Sequence, residues 1–112
     1  MNWKKLTSLE QIEEIKKLSL EKPVFIFKHS TRCSISSMSL NRVLRKWQDG
    51  DGETIEPFYL DLIANRDISD KVAQEFGVPH QSPQVIVIKN AEAVYDSSHF
   101  DISYANIISQ VS

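Results

Sequence analysis

The chain has 112 residues, 41% of them hydrophobic and 25% charged, with a formal net charge of −2 and a single cysteine. Length and composition predict one globular domain over 1–112, and the charge gives no electrostatic reason to expect nucleic acid or an anionic membrane as partner. A lone cysteine excludes an internal disulfide, so stability does not depend on an oxidising compartment. The opening Met1-Asn2-Trp3-Lys4-Lys5 leads into a charged segment, and no apolar run approaches the roughly 18–20 residues that cross a bilayer. A cytoplasmic protein without a signal peptide is expected.

In chain order, Thr7-Ser8-Leu9-Glu10 fits a capping box and predicts a first helix from about Thr7. Leu9, Ile12, Ile15 and Leu18 recur near helical spacing, and Pro23 marks the break. Residues 24–28 are β-branched and aromatic without interruption, which suits a strand covered on both faces. From Ser34 to Trp47, residues Leu40, Val43, Leu44 and Trp47 form one helical face, and Asp49-Gly50-Asp51-Gly52 is expected to end it in a mobile turn. Phe58-Tyr59-Leu60-Asp61-Leu62 reads as a second strand. Ile68, Val72 and Phe76 line a third helix, with Gly77 placed to end it.

The loop Val78-Pro79-His80-Gln81-Ser82-Pro83 leads to the most apolar strand, Val85-Ile86-Val87-Ile88. Lys89-Asn90-Ala91-Glu92 can turn the chain into a hairpin with a short strand near Ala93-Val94-Tyr95. Asp101 or Ser103 is a candidate cap for a last helix carrying Ile102, Ala105, Ile108 and Val111. The order α-β-α-β-α-β-β-α predicts an α/β domain: a mixed sheet of about four strands with helices on both faces.

Cys33 stands at the strand-to-helix junction, within Lys28-His29-Ser30-Thr31-Arg32-Cys33-Ser34-Ile35-Ser36. A thiol there meets the positive end of the helix dipole and unpaired N–H groups, which favour the nucleophilic thiolate. Ser36 occupies the position where a Cys-x-x-Cys motif has its second cysteine. A lone attacking thiol implies mixed-disulfide chemistry with an outside thiol. The bland alternative is that Cys33 is simply a small buried hydrophobe. Arg32 either favours thiolate and binds a carboxylate or is a solvated loop residue. Ser36 either donates to the sulfur or bonds its own helix backbone. One cysteine and three scattered histidines do not make a zinc site, so no metal is expected. Trp3 and Trp47 read as packing residues.

The whole pattern resembles the thioredoxin fold, a three-layer α/β/α sandwich. Three features carry the likeness: Cys33 at a helix start after an apolar strand, Ser82-Pro83 before another apolar strand, and Lys89-Asn90-Ala91-Glu92, which is similar to a Lys-Asn-Gly-Glu hairpin with alanine for glycine. Within that superfamily, Thr31-Arg32-Cys33-Ser34-Ile35-Ser36 and His80-Gln81-Ser82-Pro83-Gln84 most resemble the monothiol bacilliredoxins (the YtxJ-type family), Ser34 standing where proline is often found.

The resemblance implies a thiol–disulfide oxidoreductase that removes bacillithiol from S-bacillithiolated client proteins through a mixed disulfide on Cys33. Arg32 and Ser36 would assist, and Thr31, His80, Gln81, Ser82 and a cis-Pro83 would contact substrate. Bacillithiol would be a co-substrate, with no bound cofactor, and a separate disulfide reductase would recycle it. His80 is the candidate proton donor, because its loop is expected to face the cysteine. His29 is expected to be structural and His99 a surface residue. Two other readings compete: a glutaredoxin-like module holding an iron–sulfur cluster with glutathione, and a catalytically idle thioredoxin-like adaptor. Against the glutaredoxin reading, Cys33-Ser34-Ile35-Ser36 lacks the glycine and aromatic of the Cys-Gly-Phe-Ser motif.

Overall fold

The computed structural model describes residues 3–111. In chain order the elements are β1 (Lys4–Lys5), α1 (Glu10–Leu18), β2 (Val24–His29), α2 (Ser34–Lys46), α3 (Asp51–Thr54), β3 (Glu56–Asp61), α4 (Arg66–Phe76), β4 (Gln84–Lys89), β5 (Glu92–Ser98) and α5 (Tyr104–Ile108), with a 3-10 turn at His99–Asp101. The strands form one mixed sheet in the order β1-β3-β2-β4-β5. β2 runs parallel to β3 and antiparallel to β4, and β5 closes the far edge antiparallel to β4.

Alternation along β2 divides the core into two halves. All six residues of the strand are buried, as the uninterrupted apolar run predicts for a strand covered on both faces. Val24 and Ile26 pack into one cluster with Ile12 and Ile15 of α1 and Ile68 and Val72 of α4. Phe25 and Phe27 pack into the other, with Val43 of α2 and Ile107 of α5. Burying a side chain of this size stabilises by about 1.5–3 kcal/mol, so these two clusters supply the main driving force. The same period of two sends Lys28 to the α4 side and His29 to the α2 side. Trp3 and Trp47 pack edge-on or tilted against Phe25, at 5.4 and 5.5 Å between ring centres.

Several local expectations shift. The first helix starts at Glu10, not Thr7, because the Gln11 side chain gathers the preceding segment. Its Oε1 accepts from Thr7 N (2.7 Å) and Ser8 N (3.0 Å), and its Nε2 donates to Lys5 O (2.9 Å). Leu9 is consequently about half exposed and leaves the apolar face. Leu44 is likewise exposed, while Ser36, Ser39 and Val43 form the inner face of α2. The sheet has five strands rather than about four. β1 escaped the sequence because its two lysines carry no apolar alternation; backbone pairing to Phe58 and Tyr59 alone makes it a strand.

The turn expected to be mobile contains α3. Asp51 Oδ2 anchors it by accepting from Gln48 N (2.8 Å) and the Tyr104 hydroxyl (2.6 Å). Gly77 ends α4 with φ +67°, a left-handed conformation that glycine adopts without a Cβ penalty. The last helix is capped by Ser103, whose Oγ accepts from Asn106 N; Ile102 lies before it, and Ile107 rather than Ala105 is its buried residue.

The β4–β5 hairpin turns on Asn90 and Ala91, with φ of +53° and +64°. Two positive φ values in a two-residue loop are the pattern of a type I′ turn, which favours glycine at its second position. An L-residue there costs roughly 1–2 kcal/mol, and the greater freedom of unfolded glycine returns part of that. Ala91→Gly is therefore expected to stabilise the protein by about 0.5–1 kcal/mol in urea unfolding. The Ala91 N–H bond to Ser19 Oγ (2.8 Å) is kept in the variant. An unchanged or lowered midpoint would show that the turn is not strained.

Candidate active site

Topology brings two loops together. Lys28 and Gln84 are the last paired residues of β2 and β4 at one end of the sheet. The chain leaves β2 there toward Cys33, and it enters β4 there from Pro83. The Ser82–Pro83 bond is cis. The carboxyl end of a central strand is where open α/β sheets form their crevices.

Cys33 is the N-cap residue of α2, half-buried, with extended backbone (φ −112°, ψ 119°). Its N–H donates to Ser30 O (3.2 Å), and its carbonyl accepts from Ser37 N (3.1 Å). No side chain of its own caps the helix. The first-turn N–H groups of a 13-residue helix thus adjoin the residue that carries the thiol. Arg32 and Thr31 are exposed beside it.

Ser36 does not reach the sulfur. Its side chain is fully buried and turned inward. Its Oγ accepts from Ser30 N (3.0 Å) and lies 2.6 Å from His29 Nδ1. The expectation that it donates to Cys33 is replaced by a tie between the end of β2, the Cys33 loop and the first turn of α2. His29 thus has the structural role expected of it, and burial pushes its pKa down, offset in part by Asp61. Ser36→Ala would leave the part-buried Ser30 N–H and the buried His29 Nδ1 without this partner. The expected cost is about 1–3 kcal/mol, read from the urea midpoint at unchanged slope. A change below about 0.5 kcal/mol would mean that water substitutes for the hydroxyl.

On the opposite face, His80 Nδ1 lies 3.4 Å from Lys28 Nζ and 3.4 Å from Ser69 Oγ. Gln84 braces the same loop: its Nε2 donates to Pro79 O (3.0 Å), and its Oε1 accepts from Gln81 N (3.4 Å). Ser82 Oγ is buried without a hydrogen-bond partner among the described residues. Pro83 O accepts from His99 N (3.1 Å), and His99 O accepts from Ser39 Oγ (3.1 Å).

A family model described as monothiol bacilliredoxin BrxC matches residues 4–107. The chain belongs to the monothiol bacilliredoxin family. Among solved structures, it is similar to an oxidoreductase with a thioredoxin fold at 32% identity and a TM-score of 0.78, covering 96% of this chain and 90% of that one. It is also similar in fold to the thioredoxin of Malassezia sympodialis (16% identity, TM-score 0.74, 98% and 88% covered) and to that of Fasciola hepatica (13%, 0.70, 96% and 95%). The fold is the thioredoxin fold, and the protein is a thiol redox protein of that class. No helix among the described residues is long and apolar enough to cross a membrane.

In this bacilliredoxin, sequence reasoning misses Lys28, Ser69, Gln84 and the backbone role of His99. His99 is exposed in its side chain, as expected, but its main chain links the cis-Pro83 loop to α2. Its φ of +53° is unusual for a non-glycine residue. The one local signal for Lys28 is its charge at the end of an otherwise apolar strand. The pairing with His80, 52 residues away, has none.

Proposed function

We propose that this protein removes bacillithiol from S-bacillithiolated client proteins in the cytoplasm by a monothiol exchange at Cys33. The observation that carries the reading is the placement of the only cysteine at the N-cap of α2, with a buried serine in the position of a second cysteine. Ser36 has no thiol to offer, and its hydroxyl is engaged by His29 and Ser30. A mixed disulfide on Cys33 therefore has no internal attacker.

The Cys33 thiolate attacks the bacillithiol sulfur of the client's mixed disulfide. The client–sulfur bond breaks, the client thiolate departs with the electron pair and is protonated by solvent, and bacillithiol stays on Cys33. A second bacillithiol thiolate then attacks this mixed disulfide, giving bacillithiol disulfide and free Cys33. The two oxidising equivalents end in that small disulfide, which a separate reductase consumes. The exposed Arg32 offers a fixed positive charge to a carboxylate of the small thiol. Thr31 and Gln81, both exposed, are the proposed substrate contacts from the two loops, together with Ser82 and cis-Pro83, whose role would be main-chain pairing with the bound substrate.

The test is intact-mass spectrometry of the reduced protein mixed with one client in bacillithiolated and glutathionylated forms. Rapid appearance of the bacillithiol adduct on Cys33, with the client reduced, is expected. Preferred transfer of glutathione would keep the exchange chemistry and discard the bacillithiol assignment. Absence of both adducts would overturn the reading.

A further inference from the structure

We propose that Lys28 is a positioning residue for the candidate site: it donates to His80 Nδ1 and so holds the imidazole as the neutral tautomer with its proton on Nε2, a hydrogen-bond donor rather than an acid beside the cis-Pro83 loop. The proposal deepens the exchange reading above and rests on it only for its kinetic arm.

Four observations meet here. Lys28 has no exposed surface, although it is the residue type least often buried without an ionic partner. Among the described residues no carboxylate lies within ion-pair distance of it; Nζ instead faces Ser69 O at 3.3 Å and His80 Nδ1 at 3.4 Å. An ammonium has donors and no acceptor, so a ring nitrogen bonded to it must carry a lone pair. Neutral histidine with its lone pair on Nδ1 has its proton on Nε2.

The loop is held to the same anchor point from two sides. Lys28 and Gln84 are register partners across β2 and β4, so their side chains leave the same face of the sheet. Gln84 holds the main chain at Pro79 and Gln81, and Lys28 holds the His80 ring between them. Ser69, one turn into α4, closes the arrangement through Oγ at 3.4 Å from the same Nδ1.

The charges around His80 agree with this geometry. Burial comes first in lowering its pKa, followed by the cations Lys28 on β2 and Arg66 on α4; Asp70, also on α4, opposes them. Protonating Nδ1 would place an N–H against the Lys28 ammonium. The proton-donor role expected of His80 is therefore replaced: the neutral ring can hydrogen-bond a substrate sulfur or carbonyl through Nε2–H but does not give up that proton near pH 7.

The decisive measurement is long-range 1H–15N NMR of the wild-type protein between pH 6 and 7.5. The expected pattern is an unprotonated Nδ1 and a protonated Nε2 for His80, persisting below the pH at which free histidine titrates. In Lys28→Met, which keeps an unbranched stem, His80 is expected to titrate at higher pH and to show mixed tautomers. Transfer of bacillithiol from a client is expected to slow several-fold in Lys28→Met, and adding His80→Ala to it should slow transfer little further. A protonated Nδ1 in the wild type overturns the proposal without any variant needing to fold. Unchanged tautomer and titration in Lys28→Met overturn it equally, as do equal transfer rates. A wild-type protein that accepts no small thiol marks failure of the exchange reading instead, and the NMR result still decides the role of Lys28.

Discussion

Cys33→Ser is expected to abolish client reduction, leaving only the uncatalysed exchange between the client and free small thiol. Serine keeps the size of the side chain but not the nucleophile: a hydroxyl is not ionised near pH 7 and cannot form a disulfide. Only the exchange chemistry should suffer. Cys33 is half-buried at the N-cap, and its backbone bonds to Ser30 and Ser37 survive the change. Serine is itself a favoured N-cap residue, so stability should hold within about 1 kcal/mol or improve. Two readouts separate the cases. Intact mass should show no small-thiol adduct, and urea unfolding should show a folded protein of wild-type stability. Client reduction persisting at the wild-type rate in this variant would falsify the assignment of Cys33 as the nucleophile.

The second large effect is a stability that rises with pH through Lys28. Burial pushes its amine down to about 8 from the ordinary 10.5, with Asp70 opposing the shift. Below pH 8 both folded and unfolded states carry the proton, and the cost of a buried ammonium is present in full. Between 8 and 10.5 the folded state has released the proton while the unfolded chain still holds it. The unfolded state thus binds more protons, and unfolding free energy rises with pH. A gap of about 2.5 pH units corresponds to about 3 kcal/mol. Above 10.5 both states are neutral and the gain is complete.

Lys28→Met removes this rise. Groups common to both proteins cancel when the two curves are subtracted, so the difference isolates one amine. At pH 7 the variant escapes the buried charge but removes the amine that faces Ser69 O and His80 Nδ1, effects of similar size and opposite sign. The two proteins should then lie within about 2 kcal/mol of each other, with the wild type pulling ahead by about 3 kcal/mol from pH 7 to 10.5. Parallel curves over that range would show that Lys28 keeps an ordinary amine in the folded protein.

Much of the architecture was legible because its signals are local. The unbroken run at Val24–Phe27 announced a strand covered on both faces and Val85–Ile88 the most apolar strand, and both runs are buried throughout. Ile68 and Val72 marked the inner face of α4, and Gly77 marked its end. The start of α1 was misplaced because two capping signals overlap within four residues. Thr7 with Glu10 fits the sequence pattern, but the Gln11 amide can reach three backbone groups at once, and that choice depends on where residues 5–8 run. β1 was missed since its identity as a strand lies entirely in its pairing with β3.

The candidate site divides in the same way. Cys33 before a helical periodicity, a serine three residues on and Ser82-Pro83 before an apolar strand are all local patterns, and each stands where the sequence put it. The partners of Ser36 and His80 were not legible: position in the helix offered Ser36 to Cys33 or to its own helix backbone, and resemblance set His80 in a loop facing Cys33, whereas the pleat of β2 decides what they meet. Successive residues of a strand point to opposite faces, so His29 captures Ser36 on one side while Lys28 captures His80 on the other.

By itself, then, the sequence determined the thioredoxin-like succession of elements, the position of the one thiol at a helix start and the absence of a second thiol to resolve it. Those follow from residue identity and short-range periodicity. Only the tertiary structure decided that Ser36 turns inward, that a lysine is buried with no carboxylate in ion-pair distance among the described residues and that it meets His80. Those follow from strand register and from which helix covers which face, where side chains 52 residues apart in His80 and Lys28 are brought to 3.4 Å by the sheet between them.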